Sequence, residues 1–381
     1  MDGSHYKQGA MPPAYDEVPM AAPHDTNIQN RSRPVQTSKP WWNPRYWRKR
    51  VWIAIAVILL IIIVIAVAVG VTQSKSNKYP DYSALSYALS ETYGGESFFD
   101  NFDYFTGYDP TAGFVHYVPR AQAEQLNLTY ASSETAVLRV DTSVGPNDEP
   151  NASTGRFSVR VTSRKTYDDG LFIFDIKHSP FGCGTWPALW LTNPYNWPDD
   201  GEIDVMEAVN QADDGNQMTL HTTSGCKMNV KRKQTGKAEK TNCDHDANDN
   251  AGCGVADDKD SYGESFNENE GGVMAVEWRD AGIRIWQWAR SAIPSDIASK
   301  KPNPSTWGTA NADFPGTDCN IGNHFRNQSI VANINLCGQL TEASYSSSNC
   351  PSNCTDYVAN NPDAFKNAFW EFGSFEVYQA S

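Results

Sequence analysis

Glu202, Asp204 and Glu207 fall within the six residues Glu202-Ile203-Asp204-Val205-Met206-Glu207, and every residue between them is apolar. In an extended strand alternate side chains share one face. Glu202 and Asp204 therefore point the same way, and strict alternation sends Glu207 to the opposite side. One extra residue, a β-bulge, returns Glu207 to the face of the other two. Two neighbouring carboxyl groups are what hydrolysis of a glycosidic bond requires, one as nucleophile and one as acid/base. The bland alternative is a solvated edge strand with three acids on its wet face. Against it, like charges this close repel and need a reason.

The flanks favour chemistry. Upstream run Gly182-Cys183-Gly184-Thr185-Trp186-Pro187-Ala188-Leu189-Trp190, then Asn196-Trp197-Pro198 and Gly201. Indole faces stack on the C–H faces of sugar rings and supply apolar contact area. One Trp is more often core than platform, but three beside a carboxylate cluster describe a carbohydrate cleft. Trp190 and Trp197 are the leading platform candidates, and Trp186 suits core or cleft equally. His221, on the run after the acids, is a candidate to face the cleft or to pack as a polar core residue. Trp286 and Trp288 share a strand face with Arg284 by alternation and complete the set of candidate sugar contacts. Alternation does not say which face looks into the cleft.

These residues resemble those of a known family, the fungal endo-β-1,3(4)-glucanases (laminarinases) of glycoside hydrolase family sixteen. The resemblance runs from about Tyr79 to the C-terminus. It includes Ser97-Phe98-Phe99-Asp100, Asp109-Pro110-Thr111-Ala112-Gly113-Phe114-Val115, Gly170-Leu171-Phe172-Ile173-Phe174-Asp175, Leu220-His221-Thr222 and Phe369–Tyr378. It implies an all-β, two-sheet β-sandwich jelly roll (concanavalin A-like) with a concave cleft for β-glucan. It also implies retaining hydrolysis with Glu202 as nucleophile, Glu207 as acid/base, and Asp204 assisting by a hydrogen bond to Glu202. No cofactor and no metal is implied. Transglycosylases and mixed-linkage lichenases of the family tend to carry the shorter E-x-D-x-E form, so the bulged motif points to the laminarinase branch. Two other readings share the fold. One is a membrane-anchored wall-glucan assembly protein or transglycosylase, the assembly proteins usually being much longer. The other is a non-catalytic β-glucan receptor, although such relatives typically lose the catalytic glutamates.

The elements that must position these residues look like strands. Ala136–Val140, Phe157–Thr162, Leu171–Asp175, Val273–Trp278 and Ile283–Trp288 are short β-like runs separated by turn residues, as in an all-β sandwich. Residues 225–272 and 295–325 break that rhythm and read as long loops placed to wall a cleft. The expected organisation is a disordered tail over 1–50, a transmembrane helix over 51–71, a stalk over 72–95 leading into the domain, and the catalytic sandwich over 96–381.

Val51–Val71 carries no charge over 21 residues, about the length that spans a bilayer. A cleaved signal peptide is excluded by the length of this run and by the fifty residues before it. Arg45, Arg48, Lys49 and Arg50 abut its N-side, while Lys75 and Lys78 lie further out on the other. This predicts a single-pass type II protein of the cell membrane, its catalytic domain outside, with Trp41, Trp42, Tyr46, Trp47 and Trp52 as an interfacial belt. Residues 1–50 hold eight Lys/Arg against four Asp/Glu, leaving 23 against 41 in the remainder, within a total of −14. So acidic a body argues against a nucleic-acid partner and suits a neutral polysaccharide.

All eight cysteines follow the span, and an even count in an exported domain predicts disulfides without fixing their connectivity. Zinc is a poor reading, because Cys350 and Cys354 lack a second close pair. Sequons at Asn127, Asn151, Asn327 and Asn353 all lie on the outer side. Asn30 also fits, but on the cytoplasmic side. In the tail, Pro12-Pro13-Ala14-Tyr15 matches the P-P-x-Y pattern that WW domains take in a polyproline conformation.

Overall fold

Period-two alternation of apolar residues builds two packed sheets. The computed structural model describes residues 40, 42–76, 78–145, 147–148 and 154–381. Pro12, Pro13, Tyr15, Asn30, Trp41 and Asn151 lie outside the described residues.

One helix, α1 (Lys49–Ser76), precedes the strands in the chain. Its 23-residue stretch Lys49–Val71 reaches a mean hydropathy of 3.5 over its most apolar 18 residues. At the α-helical rise the whole stretch is about 34 Å long, against the ~30 Å of a bilayer's hydrocarbon. Its side chains are apolar and exposed almost all round. A helix of that kind has no stable place in water without a partner.

The strands are β1 (Tyr87–Gly94), β2 (Phe102–Tyr104), β3 (Val115–Tyr117), β4 (Thr129–Ala131), β5 (Ala136–Arg139), β6 (Arg156–Ser158), β7 (Arg160–Tyr167), β8 (Gly170–His178) and β9 (Thr185–Thr192). They continue as β10 (Glu202–Glu207), β11 (Gln217–His221), β12 (Lys237–Ala238), β13 (Val255–Ala256), β14 (Gly272–Arg279), β15 (Gly282–Ala289), β16 (Ala312–Pro315), β17 (Gln328–Leu336) and β18 (Phe369–Ala380). One sheet runs β16-β15-β14-β8-β18-β5-β4, with β1 also pairing with β18. The other runs β12-β13-β11-β10-β9-β17-β7-β2. The expected two-sheet β-sandwich is thus the observed fold.

Between the sheets lie Phe172, Phe174, Ile176, Met274, Val276, Ile283 and Ile285 from one side, and Leu189, Leu191, Ile203, Met218, Leu220, Ile330 and Ile334 from the other. Phe98, Phe102, Phe372 and Phe375 fill one end with stacked and edge-on rings 4.8–6.4 Å apart. The second sheet therefore turns the alternate residues of β9, β10, β11 and β17 outward, and that face carries the acids.

The sandwich starts earlier than residue 96. β1 pairs with β18 from Tyr87↔Ala380 to Gly94↔Ser374, with a register shift between Leu89 and Glu91. Before it, the hydroxyls of Tyr79 and Tyr82 donate to Asp313 at 3.0 and 3.3 Å. The segment expected as a stalk is bound to the domain because its tyrosines find a buried carboxylate.

The four disulfides are Cys183–Cys350, Cys226–Cys319, Cys243–Cys253 and Cys337–Cys354. Cys226–Cys319 ties the two long segments together. The first contributes β12 and β13 to the edge of the acid-bearing sheet. The second packs Ile297, Trp307 and Ala310 on the outer face of the other sheet, so this part of it walls no cleft. Asn127, Asn327 and Asn353 are exposed, though the Asn353 side chain also caps a helix by accepting from the Asp356 N–H at 2.9 Å.

Candidate active site

The bulge lies where the spacing of the acids requires it. Across the β9–β10 ladder Asp204 pairs with Trp190, but Leu189 pairs with Met206, so Val205 is the extra residue. On the other side Asp204 faces Thr219 and Glu207 faces Gln217. Val205 and Met206 both point into the core, at 0% exposure. Glu202, Asp204 and Glu207 consequently share the outward face. Gly201 admits the chain to this strand with φ +76, and a Cβ there would lie 2.3 Å from the His324 carbonyl.

Three groups converge at one end of the site. An oxygen of Glu202, an oxygen of Asp204 and a ring nitrogen of His221 all lie within 4.8 Å of one another. His221 Nε2 is 3.4 Å from Asp204 Oδ2 and 3.9 Å from Glu202 Oε1. Its Nδ1 is 3.0 Å from Asn250 Oδ1, a contact that fixes the ring. Burial opposes the charged imidazolium. The Asp204 contact and the charges of Glu202, Asp204 and Glu207 together outweigh it and hold the pKa at about 10. Burial pushes both the Glu202 and the Asp204 carboxyl up. For Glu202 the charge of Asp204 adds to this, while His221, Trp197 and Arg160 oppose it.

Glu207 has different company. Burial raises it, but the Trp186 indole Nε1 donates to Oε1 at 2.7 Å and pulls it back. Two similar carboxyls thus meet different partners, while burial raises both.

The other candidates divide. Trp186 and Trp190 sit on β9 beside the acids, half-buried, and Trp190 donates from Nε1 to Asn333 Oδ1 at 2.8 Å. Trp197 lies in the loop before β10, 41% exposed, with its ring 5.3 Å from that of His245. His221 is at the site. Trp286 and Trp288 are not, and that expectation is corrected. β15 turns Ile283 and Ile285 into the inter-sheet core. Its alternate residues Arg284, Trp286 and Trp288 therefore face the outside of the other sheet. There Trp307 packs edge-on at 5.3 Å from Trp286 and 5.1 Å from Trp288.

Sequence reasoning missed Arg160, Asn333 and Asn216. The Arg160 guanidinium stacks on Trp190 at 4.9 Å and on Phe105 at 5.0 Å. Two asparagines two apart in the apolar run of β17, Asn333 and Asn335, were a legible sign that one face of that strand is polar.

With this geometry in view, the comparisons decide the family. The family model for an XgeA-like, catalytic GH16 domain matches residues 102–378. The chain belongs to glycoside hydrolase family 16. Among the family's members, a probable glycosidase of Schizosaccharomyces pombe is 45% identical over 80% of this chain and 72% of its own length. A probable endo-1,3(4)-beta-glucanase of Aspergillus niger is 40% identical over 78% of this chain, which spans only 40% of that relative. Among solved structures, Laminarinase 16A of Phanerochaete chrysosporium is 44% identical with a TM-score of 0.73. It was solved with 6-O-glucosyl-laminaritriose in donor and acceptor sites. The match covers 77% of this chain and all of that one. An elongating GH family 16 beta-1,3-glucosyltransferase is 42% identical with a TM-score of 0.72 over the same share.

Proposed function

We propose that this chain is a retaining endo-β-1,3(4)-glucanase held at the cell surface by α1. The observation that carries the reading is the bulge at Val205, which gathers Glu202, Asp204 and Glu207 on one face beside Trp186, Trp190 and Trp197. Glu202 attacks the anomeric carbon and the glycosidic C–O bond breaks. Glu207 gives its proton to the departing oxygen. Glu207, now ionised, takes a proton from water as the water oxygen bonds to the anomeric carbon and Glu202 leaves. Asp204 and His221 set the charge of Glu202. Trp190 and Trp197 offer sugar platforms, and Arg160 stacked on Trp190 adds fixed donors.

A second reading rests on the glucosyltransferase relative. The same glycosyl-enzyme passes to a sugar hydroxyl instead of water, with the same proton bookkeeping on Glu207. Product analysis separates the two. The purified full chain in detergent, given laminarin and mixed-linkage β-glucan, should release shorter β-anomeric reducing ends. Products longer than the substrate favour transfer, and α-anomeric first products overturn the retaining assignment.

The anchor reading rests on the length and apolarity of α1 and on the basic residues at its N-side. It places the sandwich outside in type II orientation, with Asn127, Asn327 and Asn353 as glycan sites. Protease added to intact cells should remove the sandwich and leave the N-terminal tail, and the reverse pattern overturns the topology.

A further inference from the structure

A bulge in a central strand leaves ladder groups without partners. Between Asp204↔Thr219 and Glu207↔Gln217, β10 has one residue more than β11. Unpaired backbone groups are costly when buried. Here one side chain takes the place of the missing backbone. Asn216, immediately before β11 and 0% exposed, accepts the Glu207 N–H on Oδ1 at 3.0 Å and donates from Nδ2 to the Val205 carbonyl at 3.1 Å. A carboxamide carries the same donor and acceptor as a peptide group, so it closes the bulge as an absent residue of β11 would.

Asn216 is itself fixed. Its Nδ2 also donates to Gln287 Oε1 at 3.2 Å, and its backbone N–H donates to Ser261 Oγ at 2.8 Å. Gln287 belongs to β15 of the other sheet, where its backbone N–H donates to Asn311 Oδ1 at 2.9 Å. The acid/base carboxyl is therefore referenced through one amide to the opposite sheet of the sandwich.

We infer that Asn216 is a positioning residue for acid/base catalysis: by bridging Val205 and Glu207 it holds the bulge in the shape that aims Glu207 at the departing oxygen. The inference rests on the reading of Glu207 as acid/base. Asn216 touches no substrate, so its loss should cost only what depends on Glu207.

The test compares leaving groups. A departing glucan oxygen needs a proton, whereas 2,4-dinitrophenolate needs almost none. The full chain is measured on laminarin and on 2,4-dinitrophenyl β-laminaribioside, reading kcat/KM, which reports formation of the glycosyl-enzyme. Glu207→Ala should lose activity on laminarin and keep it on the aryl substrate. If it loses both equally, the reading of Glu207 fails. Asn216→Ala should lose about 100-fold on laminarin, the order expected for an ångström-scale misplacement. On the aryl substrate it should stay within about threefold of wild type, since acid assistance is then unnecessary. If Asn216→Ala does not fold, Gln287→Met decides. That variant removes the Oε1 acceptor that orients the Asn216 amide, together with the Nε2 donor to the Ser261 carbonyl, and it should show the same asymmetry at smaller amplitude. Equal losses on both substrates, or no loss on laminarin, in the variant that folds while Glu207→Ala behaves as expected, overturn the role of Asn216 alone.

Discussion

The indole N–H of Trp186 donates to Oε1 of Glu207 at 2.7 Å. A neutral donor on a carboxyl oxygen favours the ionised form, so this bond works against the burial that raises Glu207. Glu202 has instead a cation within 3.9 Å, on His221. The two carboxyls thus differ in what each touches, an indole donor on Glu207 and an imidazole beside Glu202.

Trp186→Phe should move the alkaline limb of kcat/KM to higher pH. The donor that lowers Glu207 is gone, so the acid stays protonated further up. A pH profile on laminarin checks this, and a limb that stays put or moves down contradicts the role given to Trp186.

His221→Gln should move the acid limb upward. The positive ring lowers Glu202, and without it the nucleophile ionises only at higher pH. The same profile read on its acid side is the check, and an unchanged limb would mean that His221 is neutral in the working enzyme.

His221 also makes a claim about stability. Its pKa rises from the model-peptide 6.5 to about 10 on folding, so the folded state holds a proton the unfolded state releases. That contribution is fully present below about pH 6.5 and is lost as pH climbs through about 10. The raised carboxyls of Glu202 and Asp204 act in the same direction, because folding there also favours the protonated form. Tm should therefore fall between pH 6.5 and 10, and it should fall less steeply in His221→Gln. Parallel slopes for the two proteins would remove His221 from the balance.

Two tryptophans of similar surroundings on paper should behave differently. Trp190→Ala removes a half-buried ring from the face of the acids and should raise KM for laminarin about tenfold or more, the loss of one stacking platform. Trp288→Ala opens the outer aromatic cluster with Trp307 and should cost on the order of 2–4 kcal/mol of stability with KM unchanged. Calorimetry and initial rates separate the two effects. A raised KM in Trp288→Ala would put a sugar on the outer face after all.

That contrast shows how far the sequence could be read. The acids, the bulge and the tryptophans of β9 were legible because strand alternation is a local rule and all of them fall within 22 residues, Trp186 to Glu207. The same rule groups Arg284, Trp286 and Trp288, yet it cannot say whether their face looks at the acids or away, which depends on how β15 joins a different sheet. Arg160 and Asn333 reach Trp190 only through pairing of β7, β17 and β9, strands far apart in the chain. Asn216 was hidden for another reason. Its work is to replace backbone, and a buried amide next to a turn has no pattern of its own. The disulfides had 105 possible pairings, and only the packing of the long segments chose one.

The bulge allows an experiment in register. Deleting Val205 leaves Glu202-Ile203-Asp204-Met206-Glu207, in which strict alternation keeps all three acids outward and Met206 inward. Deleting Val205 and Met206 together has the opposite result: in Glu202-Ile203-Asp204-Glu207 alternation turns Glu207 toward Leu189 and Met218 in the core. The single deletion should therefore fold and keep activity on laminarin within about 100-fold of wild type, the loss expected from a small misplacement. The double deletion should lose acid catalysis, a factor of about 10² to 10⁴, and should also melt earlier, because a carboxyl now meets apolar neighbours. Rates and Tm of both variants are the measurement. A single deletion as inactive as Glu207→Ala, or a double deletion that stays active, would show that the shared face of Glu202 and Glu207 is not what makes the site.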